Sequence, residues 1–439
     1  MPEAAATEPQ PAATSHDGPP KRLWDAWMKL DQGKKSRALF VGAGLSATLF
    51  LVILIVHIAV TTTSATTPRQ VVIAFTDGRA DDLLALNYLA HRSDVFVPYV
   101  VTAANGPGSA YATHRNVRGF YSLVASSPAR PRVPTVLIGA PFATADTATH
   151  NCTYRRAVDP EERQRVDSAY GASRLFRAPL RTQAADLFAA AHAALAAGDD
   201  ERRAAPGQPE YFLPAVRSFL ERQADGSVTL LAMGPLTDVN ALLRATGSSG
   251  AELRRKVQRV VVSGGTISAF GDLGPYYATN TRAEMNLFLD PAAANAVLAR
   301  GADDPDVTVV PADAVAAVPY SKSWAKLTHA APGNPVDSAL GHMLSGFYAS
   351  VRPQSHFDEV GVPRDLAAAA MATSPRTRAG SRGVVGHVAV SGVGSANLDG
   401  VGVLGATAPT TAPVTVVSSL DAEAFWPEYH SMTAAPWPR

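Results

Sequence analysis

Apolar positions in this chain form runs of two lengths, and the two lengths predict different surroundings. The long run, Ala38 to Thr61, holds no charged side chain and centres on Leu49-Phe50-Leu51-Val52-Ile53-Leu54-Ile55-Val56. A helix crosses a hydrocarbon core with about 20 mostly apolar residues, so this span predicts a transmembrane helix with His57 at its interface. The short runs follow Gln70: Val71 to Phe75, Val97 to Thr102, Pro134 to Ile138, Ser227 to Ala232, Val257 to Ser263 and Val307 to Val310. Strands that read as apolar without alternation are buried on both faces, as in parallel sheets. Ala-rich helical stretches lie between many of them. This succession predicts an α/β domain whose open, mainly parallel sheet is covered by helices and preceded by one transmembrane helix.

The predicted organisation is a disordered cytoplasmic tail over 1–37, a membrane helix over 38–61, a linker over 62–69 and one globular domain over 70–439. Met1 to Pro20 is rich in Ala, Pro, Thr and Glu without apolar periodicity, a composition that buries too little surface to fold. Lys21, Arg22, Lys29, Lys34, Lys35 and Arg37 precede the apolar span, and only Arg69 lies close behind it. The positive-inside rule then leaves the N-terminus cytoplasmic and the C-terminal part extracytoplasmic or lumenal. Trp24 and Trp27 suit the headgroup level. A cleaved signal peptide is the competing reading, weakened by the long charged region and by the poor cleavage site Ser64-Ala65-Thr66. Under the anchored topology the sequon Asn151-Cys152-Thr153 faces the lumen or exterior.

Charge changes the picture only by exclusion. Lys and Arg total 39 against 38 Asp and Glu, which lacks the basic footprint of a nucleic-acid binder. The one cysteine, Cys152, excludes an intrachain disulfide framework and a Cys-rich zinc site.

Candidate chemistry concentrates where the first short run ends, in Thr76-Asp77-Gly78-Arg79-Ala80-Asp81-Asp82. Asp77, Asp81 and Asp82 stand between a predicted strand and the predicted helix starting at Leu83. Open α/β sheets bind ligands at that edge, and clustered carboxylates repel one another unless a hard cation such as Ca²⁺ or Mg²⁺ neutralises them. The structural alternative is helix capping, which Asp also favours.

Four blocks together resemble the calcium-dependent inosine-uridine preferring nucleoside hydrolases. Asp77 and Asp81-Asp82 match the second, third and fourth acids of the family's Asp-x-Asp-x-Gly-x-Asp-Asp turn. Met233-Gly234-Pro235-Leu236-Thr237-Asp238 is similar to its Gly-(Gly/Pro)-Leu-Thr-Asn turn. Ala283-Glu284-Met285-Asn286-Leu287-Phe288-Leu289-Asp290-Pro291 resembles its Ala-Glu-x-Asn-x-x-x-Asp-Pro signature, and Pro363-Arg364-Asp365-Leu366-Ala367 its His-Asp-x-x-Ala block. The resemblance runs from about Arg69 to the C-terminus and implies a nucleoside hydrolase-like, Rossmann-like fold. It implies Ca²⁺ held by Asp77, Asp82, Asp365 and the Met233 carbonyl, and ribose contacts from Asp81, Asn105, Glu284 and Asn286.

The activity implied is cleavage of a ribonucleoside to ribose and free base, serving salvage, with Asp77 taking a proton from a calcium-bound water. The expected partners are that substrate and, through the N-terminal helix, a membrane; a homo-oligomer is allowed and nucleic acid is not expected. Three departures bear on turnover. Phe75 replaces the motif's first aspartate, Arg79 its glycine, and Arg364 the histidine before the last calcium ligand. An arginine cannot act as a general acid near neutrality, so leaving-group help falls to the region of His356, Arg364 and Tyr277. The alternative function is a catalytically impaired descendant that binds calcium or a ribose-containing ligand at a surface or in a lumen.

Overall fold

The computed structural model describes residues 69–103, 110–126, 132–140, 211–244, 248–272, 282–320, 363–390, 402–405 and 412–434. The predicted tail, membrane span and most of the linker, the sequon, Asn105, Tyr277 and His356 lie outside the described residues. No helix among the described residues is long and apolar enough to cross a membrane.

Among the described residues, strand β1 (Gln70–Thr76) stands inside a sheet of ten strands. To one side lie β2 (Val95–Phe96), β3 (Tyr99–Thr102) and β4 (Thr135–Ile138), all parallel. To the other lie β5 (Val228–Met233), β6 (Val257–Ser263) and β7 (Asp306–Val310), also parallel. The strand expected over Val97 to Thr102 is thus shortened to Tyr99–Thr102, and the short strand Val95–Phe96 before it was not expected. Pro98 lies between them, and a proline has no N–H to offer a ladder.

Beyond β7 the sheet changes character. Strand β8 (Arg382–Val390) and β9 (Gly402–Gly405) form an antiparallel edge. Strand β10 (Val414–Ser419) pairs in parallel with β7 and antiparallel with β8. The antiparallel edge was not foreseen. Five of the nine residues of β8 are exposed, so this edge lacks the continuous burial that marks the centre.

The alternation of β1 explains the apolar runs. Val72 and Ala74 join one core cluster, and Ile73 and Phe75 join another. The first cluster includes residues of α1 (Ala80–His91), α2 (Ala110–Ser126), α9 (Arg364–Thr373) and α11 (Ala422–Thr433). The second includes residues of α3 (Phe212–Glu221), α4 (Thr237–Leu243), α5 (Ser248–Lys256), α6 (Met285–Leu289) and α7 (Pro291–Leu298). Two short helices, α8 (Ala312–Val315) and α10 (Pro375–Gly380), complete the described elements. Apolar side chains therefore alternate between two covered faces, and neither face asks for polar residues.

After β1 the chain turns at Gly78, whose φ is +71°. The positive φ falls on this glycine, while Arg79 is extended at φ −77°, so the arginine in the motif carries no left-handed strain. A Cβ on Gly78 would also stand 3.0 Å from Thr113 Cγ2 and 3.1 Å from the Thr113 carbonyl oxygen. Gly226 shares the positive φ, at +64°, but has nothing within 4 Å of that position. Gly226→Ala should therefore cost only the left-handed penalty of about 1–2 kcal/mol, and Gly78→Ala should cost more because Thr113 must also move. Chemical denaturation of both variants gives this order; equal losses would show that Thr113 yields freely.

Candidate active site

The strand order places a topological switch point at β1. The chain leaves β1 for β3 and β4 on one side and returns to β5, β6 and β7 on the other. Ligand crevices form at such points, outside the carboxyl ends of the strands. Thr76 and Met233, the last residues of β1 and β5, are register partners. Asp77 follows immediately. Helices α1 and α9 each carry acids in their first turn, Asp81 and Asp82 in one and Asp365 in the other.

Local hydrogen bonds fix Asp82. Its Oδ1 accepts from the Asp77 amide at 3.1 Å and from the Thr76 hydroxyl, and its Oδ2 accepts from the Arg79 amide at 3.2 Å. The capping alternative therefore describes part of what Asp82 does. Oxygens of Asp81, Asp82 and Asp365 all lie within 4.8 Å of one another, a spacing that could hold a metal ion. Asp77 is beside this group: its Oδ1 accepts from Arg79 Nε at 3.0 Å. Its Oδ2, and Oδ2 of Asp365, are buried with no hydrogen-bond partner among the described residues.

Burial raises the pKa of Asp77, against the pull of Arg79. Burial likewise holds Asp82 well above the usual carboxylate range, reinforced by repulsion from Asp77 and Asp365. Asp365 is raised by burial and by Asp81. For Arg79, burial works downward, but attraction from Asp77, Asp81, Asp82 and Asp365 overcomes it and holds the guanidinium above its ordinary value. Buried charges are tolerated only when paired, and this arginine is the cation that the described residues supply to the cluster.

A second polar group stands beyond β6. Glu284 caps α6, and its Oε2 accepts from the Gly265 amide at 3.0 Å and the Leu287 amide at 3.4 Å. Asn286 Nδ2 donates to the Ser263 carbonyl at 3.0 Å, while its Oδ1 is buried with no partner among the described residues. Arg364 Nη1 reaches Asp272 Oδ2 at 2.7 Å and Glu284 Oε1 at 3.7 Å. Burial pushes the Glu284 carboxyl up to about 7, with Asp272 adding to the rise and Arg364 opposing it. Asp272 had no motif to announce it. Its other oxygen accepts from the Met285 amide at 2.7 Å, which ties this loop to the start of α6.

The two middle blocks of the resemblance also meet. Thr237 donates to Asp290 Oδ2 at 2.6 Å, and Asp290 Oδ1 accepts from the Ala293 amide at 2.9 Å. Phe75 lies in the core, 2% exposed, with its ring edge-on to Phe212 at 6.1 Å between centroids.

Known proteins sharpen this picture. The inosine-uridine preferring nucleoside hydrolase family matches residues 72–427. A pyrimidine-specific ribonucleoside hydrolase RihA of Shewanella sp. (strain ANA-3) is 41% identical over 80 residues, 18% of this chain and 22% of that protein. Uridine nucleosidase 1 of Arabidopsis thaliana is 35% identical over 95 residues, 21% of this chain and 24% of its own length. The aligned stretch thus spans about a quarter or less of each of these curated relatives. Solved structures extend the likeness in fold: a plant nucleoside hydrolase, the PpNRh1 enzyme, superposes with TM-score 0.62 at 18% identity over 84% of this chain and 100% of that one. The inosine-uridine preferring nucleoside hydrolase of Bacillus anthracis gives TM-score 0.56 at 17% identity over 83% of this chain and 99% of its own. With the family matched across nearly the whole described domain, this chain belongs to the inosine-uridine preferring nucleoside hydrolases.

Proposed function

We propose that this chain is a membrane-anchored hydrolase that cleaves the N-glycosidic bond of ribonucleosides to ribose and free base, with Ca²⁺ at the carboxylate cluster. The observation that carries the reading is the meeting of Asp81, Asp82 and Asp365 beside Asp77 at the switch point of the sheet. An all-oxygen donor set suits a hard cation, and the unpartnered oxygens of Asp77 and Asp365 are what such a set would leave buried. Asp77, Asp82, Asp365 and the Met233 carbonyl would hold the cation. When bound, it lowers the pKa of a water it touches.

The residues of this chain do the rest. Asp77 accepts the proton of the water that attacks the anomeric carbon, where an oxocarbenium-like sugar develops. Asp81, Glu284 and Asn286 address ribose hydroxyls, with Asn105 as a further contact, and oriented hydroxyls turn remote binding into transition-state stabilisation. Arg364 is paired with Asp272 and keeps its proton near neutrality. It steadies Glu284, and the leaving-group proton comes from the neighbourhood of His356 and Tyr277. A binding protein without turnover is the second reading, favoured by the ion pair that engages Asp77 Oδ1.

Asp77→Asn keeps a neutral oxygen and removes the base. Ribose release should fall by roughly 10²–10⁴-fold, while nucleoside binding at saturating CaCl₂ largely survives. A wild-type chain that binds nucleosides but releases no ribose from any of them would establish the second reading.

Glu284 supplies a pH prediction. Its folded pKa of about 7 lies above the ordinary 4.5, so its contribution to stability is complete below about 4.5 and is lost as pH rises through about 7. Glu284→Gln should remove that part of the decline between those values. Denaturant unfolding across the range measures it, and a pH slope identical to wild type would contradict the assignment.

The anchored topology predicts that protease added to intact vesicles trims only the N-terminal tail. Digestion of the domain from the cytosolic side would reverse the orientation.

A further inference from the structure

Arg79 brings a fixed positive charge into the group of acids that the proposed function gives to a cation. Its Nε lies 3.0 Å from Asp77 Oδ1, the Asp77 side chain is fully buried, and the arginine side chain is only 15% exposed. Asp81, Asp82 and Asp365 all act on the same guanidinium. The extended backbone at residue 79 carries no left-handed strain, because the positive φ of the turn falls on Gly78. The arginine is therefore a built part of the turn.

The charge count of the motif points the same way. Relative to the Asp-x-Asp-x-Gly-x-Asp-Asp pattern, Phe75 removes one negative charge and Arg79 adds one positive charge. The turn is two units more positive than the pattern, which is the charge that a divalent cation would bring. Meanwhile Asp77 Oδ2 and Asp365 Oδ2, on residues 3% and 1% exposed, retain unmet accepting capacity among the described residues.

We propose that Arg79 is a resident counter-ion of this site, so that its guanidinium and a divalent cation compete for the same carboxylates and the Asp77–Arg79 ion pair must open before the cation is held. The proposal rests on the reading that these acids hold a cation, and it adds a regulatory consequence. The folded domain does not need the metal to offset its buried acids, and occupancy depends on displacing a side chain. Like charges cannot share one desolvated cluster cheaply.

The test is CaCl₂ binding by titration calorimetry on the full chain, wild type against Arg79→Gln and Arg79→Lys, together with thermal unfolding in CaCl₂ and in chelator. Arg79→Gln should bind roughly 10–100-fold more tightly, the usual scale on which a group engaging a metal ligand alters affinity. Its unfolding temperature should fall in chelator and recover in CaCl₂, whereas wild type and Arg79→Lys should respond weakly to either. Equal affinity for wild type and Arg79→Gln would overturn the counter-ion proposal and leave the cation site standing. Absence of binding in all three would overturn both. If Arg79→Gln does not fold in either buffer, the wild-type chain decides: modification of Arg79 by phenylglyoxal, followed by peptide mass spectrometry, should accelerate in CaCl₂, and an unchanged rate would overturn the proposal.

Discussion

Carboxylates withdrawn from water at the carboxyl edge of a parallel sheet are the constraint on which the rest of this structure depends. A charge that leaves water must find partners or neutralise. Here each acid of the cluster, of which Asp81 is only half-buried, meets that demand differently. Asp82 takes amides and a hydroxyl from its own turn, Asp77 takes a guanidinium, and Asp81, Asp82 and Asp365 stand in the first turns of two helices. A helix N-terminus carries partial positive charge, so starting both α1 and α9 at this edge lowers the cost of assembling the group. Parallel topology makes that possible, because each strand delivers its following turn to the same side of the sheet.

The polar groups beyond β6 extend the same logic away from the cluster. Two positions at and just after the end of β6 hold two of the proposed ribose contacts: the Ser263 carbonyl receives Asn286, and the Gly265 amide reaches Glu284. Arg364 then links Glu284 to Asp272, a residue 92 positions away from it in sequence. Because Arg364 immediately precedes Asp365, any shift of α9 moves an acid of the cluster and a partner of Glu284 together. The acid cluster and the Glu284–Asn286 group are coupled through one helix start.

What could be read from the chain follows from the range of the interactions involved. The strands were legible because burial on both faces writes itself as continuous apolar runs, and Val72 to Phe75 alternates between two cores without any polar break. The acids were legible because strand, turn and helix are adjacent in sequence at Asp77 to Asp82. Arg79 was visible as a departure but its contact was not. Whether a side chain two residues from Asp77 turns back to it depends on which residue of the turn takes positive φ, and here that residue is Gly78. The Arg364–Asp272 pair and the antiparallel edge at β8 left no local signature, since both are set by how distant segments pack.

The three departures from the motif also bear on whether this is a decaying site. Loss of selection scatters substitutions without regard to charge or fit. Here Phe75 exchanges a carboxylate for a ring seated against Phe212, Arg79 pairs with Asp77, and Arg364 pairs with Asp272. Each change has a structural partner, and in a cluster whose difficulty is surplus buried negative charge, Phe75 and Arg79 both reduce the surplus. Arg364 gives the same relief to Glu284, whose carboxyl would otherwise face Asp272 unopposed. The changes share an electrostatic direction, and that coherence fits an altered means of balancing the site better than it fits simple loss.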